Sequence, residues 1–449
     1  MMKRSPKPLH RQQRKSHARQ TTSRWSRFRL SRASPLVKAL AIFGPGLIAA
    51  NAGNDAGGIA TFSASGASYG YNLLWALALS GVFLAIVLEM GARMGAVTGK
   101  GLADLIREQF GVRWTALAML VLLIANTGLT VSEFLGVLAG VQVLAGDTHT
   151  PLVYLLVPTA GLLLWLLVLK GSYRRVERVF LLMSLGFLAY IPAAFAAHPL
   201  WSEVGQRLFL PQFPAQSQVG DYFTDAVALV GTTVGPYLLF YVQSSVADKG
   251  ISAQEYAYER LEIYSGTLFA ILIAGFVVIT TGAVLYPRTI TTALDAALAL
   301  HAFVGQYASL LFGLGLLGAS LLAAAVVPLS TAYGICEAFG FERGVSRSFQ
   351  EAPVFQSIFT GLLLFGVVMT LFAFASNLPL IQVLLVLQNV NAAMLPILLV
   401  FMILLVNKRR LMGTFANTPV FNVLSWTTVV VITILVIVLL LHSFLGIAL

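Results

Sequence analysis

The sequence predicts an all-α polytopic membrane protein, and three observations carry that expectation. Of 449 residues, 58% are hydrophobic and only 10% are charged. The apolar residues gather into repeated runs near the ~20 residues that cross a bilayer as a helix. The basic residues that bound these runs fall almost entirely on one side: of 29 Lys and Arg, only Arg207 and Arg288 lie opposite the rest. Such asymmetry follows the positive-inside rule and orients the chain with its amino terminus cytoplasmic and its carboxyl terminus outside.

Reading the runs between charge clusters and turn signals gives eleven spans in order. Span one, 36–68, follows the basic tail 1–35, and span two, 72–96, runs to Arg93 and Lys100. Span three, 114–144, opens after Arg113; span four, 150–170, stops at Lys170; span five, 177–199, begins beside Arg178. Span six, 221–246, ends before Lys249, and span seven, 261–286, lies between Arg260 and Arg288. Span eight, 304–340, ends before Arg343 and Arg347; spans nine, 356–376, and ten, 380–406, lie between these and Lys408, Arg409 and Arg410; span eleven is 420–447. The domain reading is therefore a tail, 1–35, and a membrane domain, 36–449.

The tail holds eleven basic residues and no acidic one. That composition resembles an Arg-rich transit peptide, but a solvated cytoplasmic tail at an anionic membrane surface explains it better than nucleic-acid binding does. A lone cysteine, Cys336, excludes an internal disulfide framework. The chain has no HExxH, no GxSxG, no GxGxxG after a strand and no Cys pair, so no enzyme and no resident cofactor is expected. The expected partners are a small cargo and the bilayer, with no nucleic acid and no obligate protein partner.

Spans one and six differ from the others. Span one carries GPG at 44–46 and GNDAGG at 53–58, and span six carries VGTTVGPYLLFYVQSS at 230–245 with Gly-Pro at 235 and 236. Glycine weakens a helix and proline removes a backbone donor, so both read as helices broken at mid-membrane. The freed amides and carbonyls must face protein, water or an ion. A separation of five spans places the breaks in opposite orientations, as in inverted repeats of five helices, about 36–199 and 221–406, whose site lies between paired breaks. Glycines alone are better explained by close helix packing. Asp55 is not: an intramembrane carboxylate costs roughly 2.5 to 3.5 kcal/mol on insertion scales and marks a functional path.

These residues resemble the NRAMP family of divalent-metal transporters. The likeness runs through GPGLIAANAGNDAGGIATFSASGASYGYNLLW, RMGAVTGKGLADLI at 93–106, SEFLG at 132–136, GTTVGPYLLFYVQSS and, more loosely, PLSTAYGICEAFG at 328–340. It implies a LeuT-type fold of ten core helices in two inverted halves of five plus an eleventh, working by alternating access. It also implies a metal site. The family's acidic ligand corresponds to Asp55, its asparagine position to Gly58, its methionine to Gly235, its histidine to Tyr237, and its backbone ligands to carbonyls near Ala52 and Thr232.

The acidic anchor is kept, then, while the amide and thioether are gone. Loss of a soft sulfur removes selection against hard cations, and two glycines in place of larger side chains suggest a roomier site. Mg2+ keeps several waters and is held by one or two carboxylates plus other oxygens. The expected cargo is Mg2+, with Mn2+ also possible, in the manner of the family's magnesium-transporting branch. Asn54, Thr232, Thr233 and Gln382 or Gln388 are candidates to orient the waters, with interhelical hydrogen bonding as the competing reading.

The family's proton relay maps onto Thr130, Glu133 and Tyr237. Only Glu133 is acidic, and a phenol replaces the imidazole, so proton coupling is not expected. Glu133 is open to two readings: a residual proton carrier, or a structural partner of Arg93 or a tyrosine. Glu89 leans structural. Rival functions are a proton-coupled Mn2+ or Fe2+ importer, a sodium-coupled carrier of organic solutes, and a receptor that has lost transport. The expected location is a bacterial inner membrane.

Overall fold

Every regular element among the described residues is helical. The computed structural model describes residues 54–169, 180, 182–183, 185–213, 219–253, 255–344 and 347–445. The basic tail, the GPG of span one, Ala52 and the cluster Lys170, Arg174, Arg175 and Arg178 lie outside the described residues.

The second half of span one is α1, Ala56–Tyr69, and span two is α2, Leu74–Thr98. A short amphipathic helix, α3, Leu102–Phe110, leads to α4, Val112–Ala145, and then to α5, Val153–Leu169. Span five contributes α6, Tyr190–Ala196, and is followed by the short α7, Trp201–Phe209. Span six is two helices, α8, Val219–Thr233, and α9, Pro236–Lys249. The remaining long helices are α10, Tyr256–Leu285; α11, Ala308–Phe339; α12, Pro353–Ala375; α13, Leu380–Val406; and α14, Pro419–Leu445. Spans two, three and six to eleven are helices long and apolar enough to cross a membrane, counting α8 and α9 as one crossing; spans four and five are shorter apolar helices.

Helix ends follow local chemistry. Gly99 and Gly250 stop α2 and α9 at φ of 62° and 67°, a conformation that other residues adopt only under strain. Pro236 opens α9 at its first turn, where a missing N–H is harmless.

The packing repeats under exchange of the two halves. α1 lies along α10, and its counterpart α9 lies along α2; α4 and α11, the third helix of each half, form the most extensive helix pair. Small residues let that pair approach: a Cβ on Gly140 would stand 3.3 Å from the Gly313 carbonyl oxygen. Asn126 Nδ2 donates to Thr331 Oγ1 across the same pair at 2.7 Å. α8 crosses α13 so closely that a Cβ on Gly231 would run into the Gln388 carbonyl oxygen. The start of α1 at Asp55 and the break at Gly235 between α8 and α9 are thus fixed against α4 and α13.

Candidate functional site

Asp55 is the N-cap of α1, with extended backbone (φ −73°, ψ −178°), and its Oδ1 accepts from Gly58 N at 2.7 Å. An aspartate suits this position because its oxygen satisfies one of the donors orphaned at a helix start, and its charge meets the positive end of the helix dipole. The side chain is buried, only 2% exposed. Its other oxygen is the one left over for chemistry.

Three elements close around it. From α4, Glu133 Oε2 accepts from Ala56 N, the residue next to Asp55, at 3.3 Å, which places the two carboxyls side by side. Glu133 Oε1 is buried and meets no donor. From α13, Gln388 Nε2 packs where a Cβ on Gly57 would stand and donates to Ser132 Oγ at 3.3 Å, while Asn391 Nδ2 donates to Gln388 Oε1 at 3.1 Å. From the second break come the last turn of α8, whose final carbonyls no longer have helical N–H partners, and the Thr232 hydroxyl, buried without a partner. The Tyr237 ring covers Gly235, with Cε1 at 2.8 Å from where a Cβ would stand, and is within electrostatic range of Asp55 and Glu133.

The expected residues are therefore brought together unevenly. Asp55, Gly58, Glu133, Thr232, Gly235 and Tyr237 gather at the breaks, and Asn54 is buried beside Asp55. Thr233 does not contribute a free hydroxyl: its Oγ1 donates back to Leu229 O at 2.7 Å. Thr130 likewise donates to Asn126 O at 2.7 Å and turns its methyl toward Gly366.

Gln382 is not at the breaks. It is exposed in a separate cavity of about 430 Å3, lined also by Asp221, Asp225 and Tyr69. Gln388, six residues or about 9 Å further along the helix, is the glutamine at the site. The expected enlargement at Gly235 is not realised either, because the Tyr237 ring takes the space. Where a thioether sulfur was expected to be lost without replacement, a phenol stands instead.

Arg93 is not the partner of Glu133. Its guanidinium pairs with Glu89 at 3.0 Å and donates to Phe415 O at 3.1 Å and Asn417 Oδ1 at 2.5 Å. Tyr256 also donates to Glu89. This network ties α2 to α10 and to the segment before α14, as the structural reading of Glu89 expects. Ser132, Asn391 and the close approach at Gly57 went unnoticed in the sequence; the QNVN run at 388–391, with two polar residues three apart on one helix face, was the available signal.

Chemically, the site offers two carboxyls, carbonyl oxygens at a helix end and hydroxyls, with no sulfur and no imidazole among the described residues around the breaks. That is a donor set for a hard cation.

A family model described as natural resistance-associated macrophage protein-like (Nramp) matches residues 46–442. The divalent metal cation transporter MntH of Yersinia pestis is 29% identical over 309 residues, 65% of this chain and 71% of that protein. MntH of Caldanaerobacter subterraneus subsp. tengcongensis is 26% identical over 404 residues, 87% of this chain and 90% of that protein. The crystal structure of a mutant of the Eremococcus coleocola manganese transporter superposes with a TM-score of 0.73 at 18% identity, covering 92% of this chain and 90% of that one. At that identity the likeness speaks to the fold alone, which is LeuT-type.

Proposed function

The chain belongs to the Nramp family of integral membrane proteins, and from that premise we propose that it is a secondary transporter importing divalent cations, chiefly Mg2+, without proton coupling. The observation that carries the proposal is the buried Asp55 carboxylate at the break ahead of α1, facing a second break whose thioether and imidazole positions are Gly235 and Tyr237.

A site of oxygen donors has no preference for soft transition metals, and Mg2+ with part of its water shell matches it. The helix breaks supply rigid polar groups without costly desolvation of whole side chains. The amino terminus is cytoplasmic and the carboxyl terminus outside in a bacterial plasma membrane, on the basic-residue asymmetry. A membrane potential of 100 mV supplies about 2.3 kcal/mol per charge, or about twice that for a divalent ion, which drives entry with no proton. Thr130 and Tyr237 offer no carboxylate or imidazole to relay one.

One observation favours a second reading. Glu133 is a second buried carboxyl next to Asp55, a group able to pass a proton as a proton-coupled Mn2+ importer requires. Influx of Mg2+ and of Mn2+ into proteoliposomes, compared for the wild type and Asp55→Ala, tests the proposal. Saturable Mg2+ entry lost in the variant supports it; entry of Mn2+ alone refutes the magnesium assignment.

A further inference from the structure

A transporter that carries no proton has no evident use for a second buried carboxyl beside its ion ligand. Glu133 is fully buried, accepts from the N–H of Ala56 next to Asp55, and keeps Oε1 without a donor. Neither it nor Asp55 takes part in any ion pair among the described residues. The buried guanidinium of Arg93 is engaged elsewhere, by Glu89, Phe415 O and Asn417. Two carboxyls out of water without a counter-charge are costly. Across the break, Thr232 Oγ1 is a second buried polar atom with no partner. One orphaned oxygen stands at the start of α1 and the other in the last turn of α8, beside the break at Gly235.

We infer that Glu133 is the second anionic ligand of the transported ion, so that Asp55 and Glu133 together present two negative charges to two positive ones. The inference rests on the reading that Asp55 binds a divalent cation. It gives the site a selectivity device that needs no sulfur: a divalent ion is neutralised, whereas Na+ or K+ leaves one buried charge uncompensated. Mg2+ is commonly held by one or two carboxylates with waters filling the remaining positions, and Thr232 Oγ1 is placed to accept from such a water. Ser132 and Gln388 do not touch the ion; they hold the α4 and α13 backbones against α1 at Gly57 and so position Glu133.

The decisive variant is Glu133→Gln. Its amide oxygen can still accept from Ala56 N, so the capping bond survives while the charge is lost. Mg2+ and Mn2+ affinities are measured by isothermal titration on purified full-length protein at constant pH, for wild type, Glu133→Gln, Glu133→Asp and Asp55→Ala. Unfolding midpoints are recorded without metal, and flux is followed with an internal pH dye.

The expected result is a rise in Kd of at least about tenfold for Glu133→Gln, a smaller rise for Glu133→Asp, and a metal-free midpoint for Glu133→Gln close to wild type. Wild-type affinity in Glu133→Gln overturns the assignment and leaves Glu133 a cap. Unchanged affinity together with loss of a proton flux present in the wild type overturns it in favour of a proton carrier. If only Mn2+ binds and Glu133→Gln weakens it, the second-ligand assignment stands and the magnesium reading falls. If Asp55→Ala binds both ions normally, both readings fall.

Discussion

Gly231→Ala tests whether the close crossing of α8 and α13 positions the site. The added Cβ would run into the Gln388 carbonyl oxygen and stand 2.9 Å from Ala392 N and 3.0 Å from Ala392 Cβ. Non-bonded atoms pack best at about 3.5 to 4.0 Å, and relief of the carbonyl contact alone requires the two helices to separate by roughly 1 to 1.5 Å. Two of the colliding atoms are backbone, and no rotamer change relieves them. Overpacking of this kind costs about 1 to 3 kcal/mol.

Alanine also gains about 0.5 to 1 kcal/mol of helix propensity over glycine, so the control is Gly361→Ala on α12, where nothing lies within 4 Å of the new Cβ. Both variants gain the propensity term, and only Gly231→Ala meets the clash. The expected difference between them is therefore about 1 to 3 kcal/mol of unfolding free energy, measured by denaturant titration in micelles. Thr232 is the next residue, so weaker cation uptake should accompany it. A Gly231→Ala protein as stable as Gly361→Ala, with wild-type uptake, would refute this reasoning.

Further outcomes follow from the same geometry. Arg93→Met strips the buried Glu89 of its cation and should destabilise by about 3 to 5 kcal/mol, read by the same titration; a loss under about 1 kcal/mol would show that Tyr256 and solvent suffice. Thr232→Ala should weaken Mg2+ uptake whereas Thr233→Ala, whose hydroxyl returns to its own helix, should not; parallel flux assays compare them. Gly235→Met alone meets the Tyr237 ring and should impair uptake of every ion, while Gly235→Met with Tyr237→His should shift competition between Mg2+ and Mn2+ toward Mn2+.

Much of the architecture was legible because membrane physics writes it into local sequence. Basic residues stood at helix ends, as Lys249 does on α9 and Lys408 just beyond α13, and Gly-Pro at 235 and 236 marked the break between α8 and α9 to within a residue or two. Asp55 stood out because a carboxylate in an apolar run needs a reason. The Glu89–Arg93 pair sits one helical turn apart in the sequence, yet the reading there offered Arg93 to Glu133 instead. What stayed hidden depends on contacts between distant segments. Nothing near Gly57 announces that Gln388 will fill the space above it. Nothing near Gly235 shows that a tyrosine two residues later folds back over it. Choosing Gln388 over Gln382 required knowing which part of α13 crosses α8. Helical periodicity reports which face is apolar, not where along its length another helix crosses.

The proposed transport is uncoupled Mg2+ entry through the Asp55 site. Its most direct test records Mg2+ influx and internal pH together in proteoliposomes, at membrane potentials set by a potassium gradient. Mg2+ entry should rise with inside-negative potential, be absent in Asp55→Ala, and leave internal pH unchanged. Mn2+ entry accompanied by acidification, with no Mg2+ transport, would contradict it.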